Sequence, residues 1–395
     1  MRKIAAHCII PSNCGKPLKK GLVVLDDDGT VLEVRQMEHE EESTEFYDGL
    51  LVPGFVNSHC HIELSHLKGR FCKGSGMAGF IRQINSLRES SPKEERIHAL
   101  SQQMDQLYES GVSAMADISN CEESFIAKAN SKMYTRTFLE VFGTEPDSAS
   151  SIVEGVVELN AKATIAGIDA APTPHSCYTM SPKLLEEVSA HALSAGWLSY
   201  HNQESWEEEE LLISGQGPLA EEYRSRSLST PPITGKPSLF YFLERLKNAG
   251  QVGDQRILLV HNTSATRESV KEAINLVKNL YWAICPLSNL FIHKSLPPLA
   301  MMMEEGAVIT LGTDSLSSND LLSMAAEIKC LHDYFPSIPL EQIIEWATIN
   351  GARFLGKESY LGSIEPGKKP GIVLISDIDW KKMQLTTKSK TVRLV

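Results

Sequence analysis

Two histidines separated by one residue follow an apolar segment at residues 50–57. In an extended chain every second side chain points to the same side, so His59 and His61 can bind one metal ion from a single strand end. The pair is weak evidence on its own, because a chain of 395 residues with 12 histidines often contains this spacing by chance. Its weight depends on whether other ligands occupy comparable positions.

Three further residues stand at the ends of short apolar runs. His201 and His261 each come just past such a run, and Asp314 follows the run at residues 307–311. With the histidine pair, they would surround one cation and leave a coordination position open for water, as a catalytic metal site requires. A cation in that position acidifies the water. The set predicts a metal-dependent hydrolase.

The cysteines do not indicate a structural zinc site. Such a site usually takes four Cys-rich ligands at short paired spacings, and none of the eight cysteines forms a Cys-x-x-Cys pair. Imidazole ligands suit Zn, Fe or Ni, so the residues leave the metal open. Scattered cysteines and the lack of a signal-peptide apolar core predict reduced thiols and a cytoplasmic protein.

The candidate residues need a scaffold that brings strand ends together. Short apolar strands alternate with helical patterns from residue 50 onward. We predict eight such strands, near residues 52–56, 112–116, 134–141, 166–171, 197–201, 257–261, 281–285 and 308–312. This alternation is typical of a (β/α)8 TIM-like barrel, in which the loops after the strands carry the chemistry. A doubly wound open sheet is the alternative, but no Gly-x-Gly-x-x-Gly follows a first strand.

Both ends of the chain contain further strand-like segments. Residues 3–10 and 20–35 alternate as strands around an Asp28-Gly29 turn. Residues 361–376 and 390–395 are strand-like again. We therefore predict a small β-sandwich domain built from both chain ends. In this division residues 1–50 and 358–395 form the small domain, and residues 51–357 form the barrel.

Local signals predict helix ends and loops. Ser91-Pro92-Lys93-Glu94 is a capping-box pattern for a helix at residues 92–110, which Gly111 would end. A second helix is expected to open at Ser181-Pro182. The acidic run 38–45 predicts an exposed loop. Residues 205–236 begin with Trp206 and four glutamates and then become rich in Ser, Pro and Gly. They predict an extended loop over the barrel mouth, which is either a lid or a mobile insertion.

Composition limits the partners. Hydrophobic residues make up 42% of the chain and charged residues 22%, as in ordinary globular proteins. No apolar stretch reaches the roughly 18 residues of a membrane span. A formal charge of −12 argues against nucleic acid as a partner, although not against an uncharged nucleoside. We expect a small-molecule substrate, no nucleic acid and no membrane, and a homodimer is compatible with a barrel.

Five ordered motifs resemble the amidohydrolase superfamily. They are the run Leu51 to His61, His201-Asn-Gln-Glu204, His261, Cys285-Pro-Leu-Ser-Asn289 and Gly312-Thr-Asp-Ser315. The Gly-x-Ile-x-x-Gly-Lys run at 362–368 matches the small domain of that superfamily. The segment Pro174 to Ser181 and the His-x-x-Glu motif resemble the aminohydrolases that deaminate purines and adenosine derivatives. Residues 63–69 resemble 6-aminodeoxyfutalosine deaminases.

The resemblance implies a role for each candidate residue. The implied ligands of one divalent metal are His59, His61, His201 and Asp314. Zinc is the favoured ion, with Fe or Ni as alternatives, and no Lys near residues 165–174 offers the bridge that two-metal relatives use. Glu204 would carry protons to the ring nitrogen and to the departing ammonia. His261 would hydrogen-bond the water and Asp314 would take its proton.

Other residues are implied in binding the substrate. The candidates are His175, Tyr178, Glu63 and Ser315, with Arg136 as a further contact for ribose or an acidic side arm. Each has an alternative: Glu204 could belong to an acidic face through Glu210, His261 could be a core residue, and Tyr178 could cover the barrel rim.

We expect a hydrolytic deaminase of an aminated heterocycle, by resemblance a purine nucleoside derivative. A cyclic amide hydrolase or chlorohydrolase on the same barrel is the second hypothesis, and a non-catalytic metal-binding protein is the third.

Overall fold

The computed structural model describes residues 1–13 and 15–395. Its strands are β1 (Arg2–Ile9), β2 (Leu18–Leu25), β3 (Val31–Gln36), β4 (Thr44–Pro53), β5 (Phe55–Cys60), β6 (Val112–Ser119), β7 (Tyr134–Val141), β8 (Asp169–Pro174), β9 (Trp197–Asn202), β10 (Arg256–His261), β11 (Asn279–Ile284), β12 (Ile309–Leu311), β13 (Ile372–Ile375), β14 (Ile378–Asp379), β15 (Gln384–Leu385) and β16 (Thr391–Arg393). The eight predicted barrel strands correspond to β5 through β12.

Helices follow most of the barrel strands. They are α1 (Gly76–Leu87), α2 (Lys93–Glu109), α3 (Phe125–Ala129), α4 (Ala149–Ile165), α5 (Pro182–Ala195), α6 (Trp206–Ser214), α7 (Gly217–Ser225), α8 (Ser238–Ala249), α9 (Arg267–Leu276), α10 (Pro286–His293), α11 (Leu299–Glu304), α12 (Met324–Tyr334), α13 (Leu340–Ala347) and α14 (Ile349–Leu355). This alternation confirms the predicted α/β class.

The barrel consists of two four-stranded parallel halves, in the orders β5-β6-β7-β8 and β9-β10-β11-β12. Between β8 and β9, the His201 amide donates to the carbonyl oxygen of His175 at 2.9 Å. A parallel bridge between Cys60 and Asp314 joins β5 to the end of β12. These two seams close the predicted TIM-like barrel. Apolar side chains of its strands pack with Phe354 of α14 in one buried cluster.

Gly312 allows close approach at the second seam. A Cβ atom at this position would lie 2.9 Å from the backbone nitrogen and oxygen of His59, which is closer than real Cβ contacts. The amides of Thr313 and Asp314 both donate to the His59 carbonyl oxygen at 3.0 Å. Residue 312 must therefore lack a side chain if the first and last barrel strands are to meet.

The small domain contains strands from both chain ends, as predicted. They form one six-stranded sheet in the order β16-β13-β4-β1-β2-β3, while β14 and β15 form a separate antiparallel pair. The structure therefore has one large sheet and one separate short pair where the sequence predicts a sandwich. The apolar run 50–57 divides at Gly54, because β4 belongs to this sheet and β5 to the barrel. A Cβ at Gly54 would lie 1.9 Å from Ser113 Oγ.

Three local predictions are corrected. The capping box at Ser91 does not form, because the helix begins one residue later, after Pro92, without a side-chain cap. The hydroxyl of Ser91 instead accepts a hydrogen bond from Arg70. The acidic loop ends early, since β4 begins at Thr44. Most of the supposed loop at 205–236 is helical, in α6 and α7. By contrast, Ser181 caps α5 as predicted and accepts from the Leu184 amide at 3.3 Å.

None of the helices in the described residues combines the length and apolar character that a bilayer crossing needs.

Candidate active site

Three histidine side chains converge at the barrel ends of β5 and β9. The Nε2 atom of His61 lies 3.2 Å from Nε2 of His59 and 3.3 Å from Nε2 of His201. Asp314 Oδ1 lies 3.6 Å from His61 Nε2 and 3.8 Å from His59 Nε2. We call these four residues the strand-end cluster. The structure therefore brings together all four residues that the sequence predicted as metal ligands.

Left-handed backbone conformations occur in and beside the strand-end cluster. Asp314 and His261 have positive φ angles of 56° and 74°, and Gln203 and Asn262 have φ of 45° and 62°. Non-glycine residues rarely adopt this left-handed region, and such strain concentrates at functional sites. All four residues stand at the ends of barrel strands. The strain therefore lies at the strand ends that carry the candidate residues.

Glu140 is a neighbour of the cluster that the sequence analysis missed. Its Oε1 lies 3.2 Å from Nδ1 of His201, and both groups are buried. Burial alone would raise the pKa of Glu140, but His175 and His201 outweigh this effect and lower the pKa to about 2. A carboxylate behind a ligand histidine fixes the ring and leaves its other nitrogen free to bind metal.

A second group of potential ligands overlaps the first. Donor atoms of Glu140, His175 and His201 lie within 4.8 Å of one another, as do those of His59, His61 and His201. His201 belongs to both groups through different ring nitrogens, since Nε2 faces His61 and Nδ1 faces Glu140. A neutral imidazole has one lone pair for a metal. The Nε2 group also has the carboxylate of Asp314, so it is the better candidate.

Hydroxyl groups hold Asp314 in place. Ser288 and Ser318 each donate to Oδ2, at 2.5 and 2.8 Å, which leaves Oδ1 facing the histidines. The side-chain nitrogen of Asn289 lies 3.1 Å from Nδ1 of His261. Ser288 and Asn289 thus contact the candidate residues directly. In the Cys-Pro-x-Ser-Asn motif, both polar residues orient a neighbour.

Glu204 lies at the centre of a buried polar group. Its Oε2 accepts a hydrogen bond from the Tyr178 hydroxyl at 2.9 Å. Its Oε1 lies 3.7 Å from Nε2 of His261 and 3.7 Å from Nε2 of His293. Burial alone would raise the pKa of Glu204, but the imidazoles of His261 and His293 outweigh it and lower the pKa. These neighbours therefore favour the carboxylate form of Glu204.

Glu208 fixes the backbone that carries Glu204. Its two oxygens accept from the amides of Gln203 and Glu204, at 3.0 and 2.8 Å. Burial and the neighbouring Glu209 raise the pKa of Glu208 to about 8. Glu207 is also buried, and its carboxylate accepts from the first amides of α1. The alternative in which Glu204 belongs to a solvated acidic face is therefore wrong, because Glu204, Glu207 and Glu208 are all buried.

One cavity of about 260 Å³ opens beside the strand-end cluster. His175, Tyr178 and Ser315 line this cavity, as do Glu204 and His261. The ring of His175 stacks on that of His201 with centroids 4.4 Å apart. Tyr178 is buried and bonded to Glu204, so it belongs to the polar group rather than to the barrel rim.

Glu63 and Arg136 lie elsewhere. Glu63 is buried in an adjacent cavity, where it pairs with Arg88 and accepts from the Asn120 amide at 2.9 Å. Arg136 pairs with Asp169 at 2.7 Å, near the starts of β7 and β8 and thus at the opposite end of the barrel. The expectation that Arg136 contacts substrate is therefore wrong. Within this structure Arg88 is the arginine that borders the cavity.

Sequence reasoning had little to identify the missed residues. Glu140 interrupts an apolar strand near its end, which was a usable signal, because an unpaired carboxylate is seldom buried. His293 ends α10 at a position that no motif marks. The cavity wall formed by α1 depends on how that helix packs, and its sequence shows only that one face is apolar.

Comparison with known proteins agrees with this geometry. A 5-methylthioadenosine/S-adenosylhomocysteine deaminase of Syntrophomonas wolfei is 25% identical over 357 residues, covering 85% of this chain and 76% of the relative. The structure of Helicobacter pylori aminofutalosine deaminase in complex with methylthio-coformycin superposes over the whole of both chains, with a TM-score of 0.80 and 23% identity. An adenosine deaminase from Xanthomonas campestris with bound zinc gives a TM-score of 0.68 at 19% identity, over 98% of this chain and 86% of that one.

The two solved structures share the fold of this chain. The family follows from the sequence, since residues 50–395 match the Amidohydrolase family and take in the barrel, the strand-end cluster and the C-terminal strands. The chain belongs to the amidohydrolase family.

Proposed function

We propose that the protein is a metal-dependent hydrolytic deaminase of an aminated purine nucleoside derivative. One observation carries the proposal: the carboxylate of Glu204 borders the same cavity as His61, His201 and Asp314 of the strand-end cluster. Deamination of a ring amidine needs an activated water and a group that moves protons to the ring and to the leaving amine. The relative from Syntrophomonas wolfei is a deaminase of adenosine derivatives, which supports this chemistry.

The strand-end cluster fits a divalent metal, and the amidohydrolase family uses one. Zinc bonds to histidine nitrogen at about 2.0–2.1 Å, so neighbouring ligand atoms around an ion with four protein ligands and one water stand roughly 2.9–3.6 Å apart. The Nε2 atoms of His59 and His201 lie 3.2 and 3.3 Å from that of His61, which matches this spacing. We infer that His59, His61, His201 and Asp314 hold one ion, with zinc favoured over Fe or Ni. When bound, the ion would acidify water for attack on the ring.

The protein's own groups would handle the protons. Attack of water on the amino-bearing carbon forms a C–O bond, and Asp314 would accept the proton that the water loses. Glu204, which starts as a carboxylate, would relay that proton to the ring nitrogen. It would then carry to the amine the proton that the new hydroxyl group loses on becoming a carbonyl, so that the C–N bond breaks and ammonia leaves. His261 would hydrogen-bond the attacking water. The contacts of Glu204 with Tyr178 and His261 would keep its carboxylate directed at the cavity.

His175, Tyr178 and Ser315 would contact the substrate, because they line the cavity. Glu63 would influence substrate binding indirectly, because it pairs with Arg88, which borders the cavity. Two further expectations remain proposals. A homodimer is one, and a cytoplasmic location is the other, which the seven free cysteines of the described residues support.

An ammonia-release screen tests the proposed reaction. The substrates are adenine, adenosine, its thioether derivatives, 6-aminodeoxyfutalosine, guanine and pterins, with zinc content measured on the same sample. We expect ammonia from at least one adenosine derivative, and loss of activity after chelation that added zinc reverses. Hydrolysis of a chlorinated or cyclic-amide heterocycle without ammonia release from any adenosine derivative would instead identify the sister hydrolase.

A further inference from the structure

A single buried carboxyl group connects the segments that follow β11 and β12. Glu327 lies on α12 and is fully buried. Its Oε2 accepts from the backbone amide of Leu287, in the first turn of α10, at 2.9 Å. Its Oε1 accepts from the side-chain nitrogen of Asn319, in the loop after β12, also at 2.9 Å. The two oxygens therefore hold two segments that are separate in the chain.

Each partner of this carboxyl group adjoins a serine that contacts Asp314. Leu287 precedes Ser288, and Asn319 follows Ser318. The hydroxyl groups of both serines donate to Oδ2 of Asp314. The carboxyl group on α12 therefore lies behind both donors that hold one oxygen of the candidate ligand.

Asn319 also holds the backbone beside Asp314. Its side-chain nitrogen donates to the carbonyl oxygen of Thr313 at 3.0 Å, in addition to its bond to Glu327. Thr313 directly precedes Asp314 in the chain. Glu327 is thus connected to the backbone of the candidate ligand as well as to its side chain.

Burial makes the acceptor oxygens of Glu327 important. An N–H group that loses its acceptor away from water is costly, so both segments depend on these two oxygens for their positions. Burial also raises the pKa of Glu327 to about 8. The carboxylate and the protonated acid both keep an acceptor lone pair on each oxygen, so the contacts do not depend on the charge.

We propose that Glu327 is a positioning residue for Asp314, which acts through the hydroxyl groups of Ser288 and Ser318. The inference rests on the proposed function, in which Asp314 is a metal ligand. By holding the neighbours of both serines, Glu327 keeps Oδ2 of Asp314 hydrogen-bonded. Oδ1 is then left facing His59 and His61, where it is free to bind a divalent ion.

Glu327→Gln tests the proposal, because it replaces one acceptor oxygen with an amide nitrogen that only donates. We expect zinc affinity, measured by competition with a chelator, to fall about tenfold. With saturating zinc, kcat should fall about tenfold or more and KM should change less than twofold, since the reacting groups lose alignment. Asp333→Asn is the matched control, an exposed carboxylate on the same helix, and should change none of these quantities.

A double-mutant cycle separates positioning from a general loss of structure. In a background with Ser288→Ala and Ser318→Ala, Asp314 has already lost both donors. Adding Glu327→Gln to this background should lower zinc affinity less than about threefold further. If Glu327 only stabilised the fold, its effect would be the same in both backgrounds. A tenfold loss that persists without the serine hydroxyls overturns the proposal, as does unchanged zinc affinity in Glu327→Gln alone.

Asn319→Ala decides the question if Glu327→Gln does not fold. This variant removes the other side of the contact, so it should also lower zinc affinity, and it should do so only where the serine hydroxyls are present. An equal effect in both backgrounds overturns the proposal.

Zinc affinity also keeps the two possible failures apart. If no nucleoside releases ammonia, the proposed function is wrong, and the zinc measurements still decide whether Glu327 positions Asp314. If Glu327→Gln binds zinc and releases ammonia like the wild-type protein, the role of Glu327 is wrong and the proposed function stands.

Discussion

The strand-end cluster and the apolar face of α1 lie at one cavity but are positioned by different kinds of structure. We call the α1 residues that line this cavity, Met77, Phe80, Ile81 and Ile84, the α1 wall. Parallel strands of the closed barrel hold His59, His61, His201 and Asp314, and backbone hydrogen bonds at Gly312 fix the last of them. The α1 wall lies on a helix outside the sheet and is held by side-chain contacts of Glu207 and Arg88. We infer that the closed barrel positions the residues proposed to catalyse the reaction. The apolar wall of the cavity depends instead on the side-chain contacts of Glu207 and Arg88.

The largest effect on turnover is expected from a substitution beside the strand-end cluster, Glu204→Gln. The amide keeps the size of the side chain but cannot accept and return a proton, so we expect kcat to fall roughly 10²–10⁴-fold. Zinc content should remain unchanged, because Glu204 is not among the proposed ligands. Steady-state kinetics and metal analysis of the same sample measure both quantities.

The control for this variant is Glu210→Gln on α6, where the side chain does not line the cavity. It should retain wild-type turnover. Undiminished turnover in Glu204→Gln would remove this residue from the mechanism.

An intermediate effect is expected from Glu140→Gln, which acts behind the cluster. Without the carboxylate, the ring of His201 is held less firmly. Removing the hydrogen-bonding partner of a metal ligand typically lowers metal affinity 10–100-fold. Competition with a chromophoric zinc chelator measures the change, and saturating zinc should restore most of the turnover. Glu145→Gln, an exposed carboxylate after the same strand, is the control. Equal zinc affinity in the two variants would show that Glu140 does not support a ligand.

The smallest effect on turnover is expected from the α1 side, with Glu207→Gln. This change removes the charge of the carboxylate that accepts from the amides of Met77 and Ala78 near the beginning of α1, so the wall should lose order. We expect KM for thioether derivatives of adenosine to rise several-fold with kcat nearly unchanged. The free energy of unfolding should fall by about 1–3 kcal/mol in urea titration. A fall in kcat with unchanged KM would mean that α1 serves the chemistry and would break the proposed division.

The same contrast explains what the sequence could predict. The barrel class and the amidohydrolase relationship are confirmed, because strand–helix alternation and ordered motifs are local signals. Residues 205–236 were predicted wrongly as a loop, although Ser205 and Glu208 stand at a helix-capping spacing and Ser205 does cap α6. The capping pattern at Ser91 failed, because α2 begins one residue later and Ser91 bonds to Arg70 instead.

The supporting residues of the site depended on tertiary packing. Glu140 approaches His201 from a different strand, and Arg88 reaches Glu63 across a helix end. No spacing within one segment encodes such contacts. Motifs therefore identified the side chains proposed to bind the metal. Glu140 and Arg88, which contact other residues of the site, were recognised only from the three-dimensional structure.

A crystal structure of the protein loaded with zinc tests the central claim most directly. The account predicts one ion bound by Nε2 of His59, His61 and His201 and by Asp314, with one coordination position filled by solvent and Glu140 contacting the outer nitrogen of His201. Zinc held instead by Glu140, His175 and His201, or bound by protein ligands with no solvent position, would contradict it.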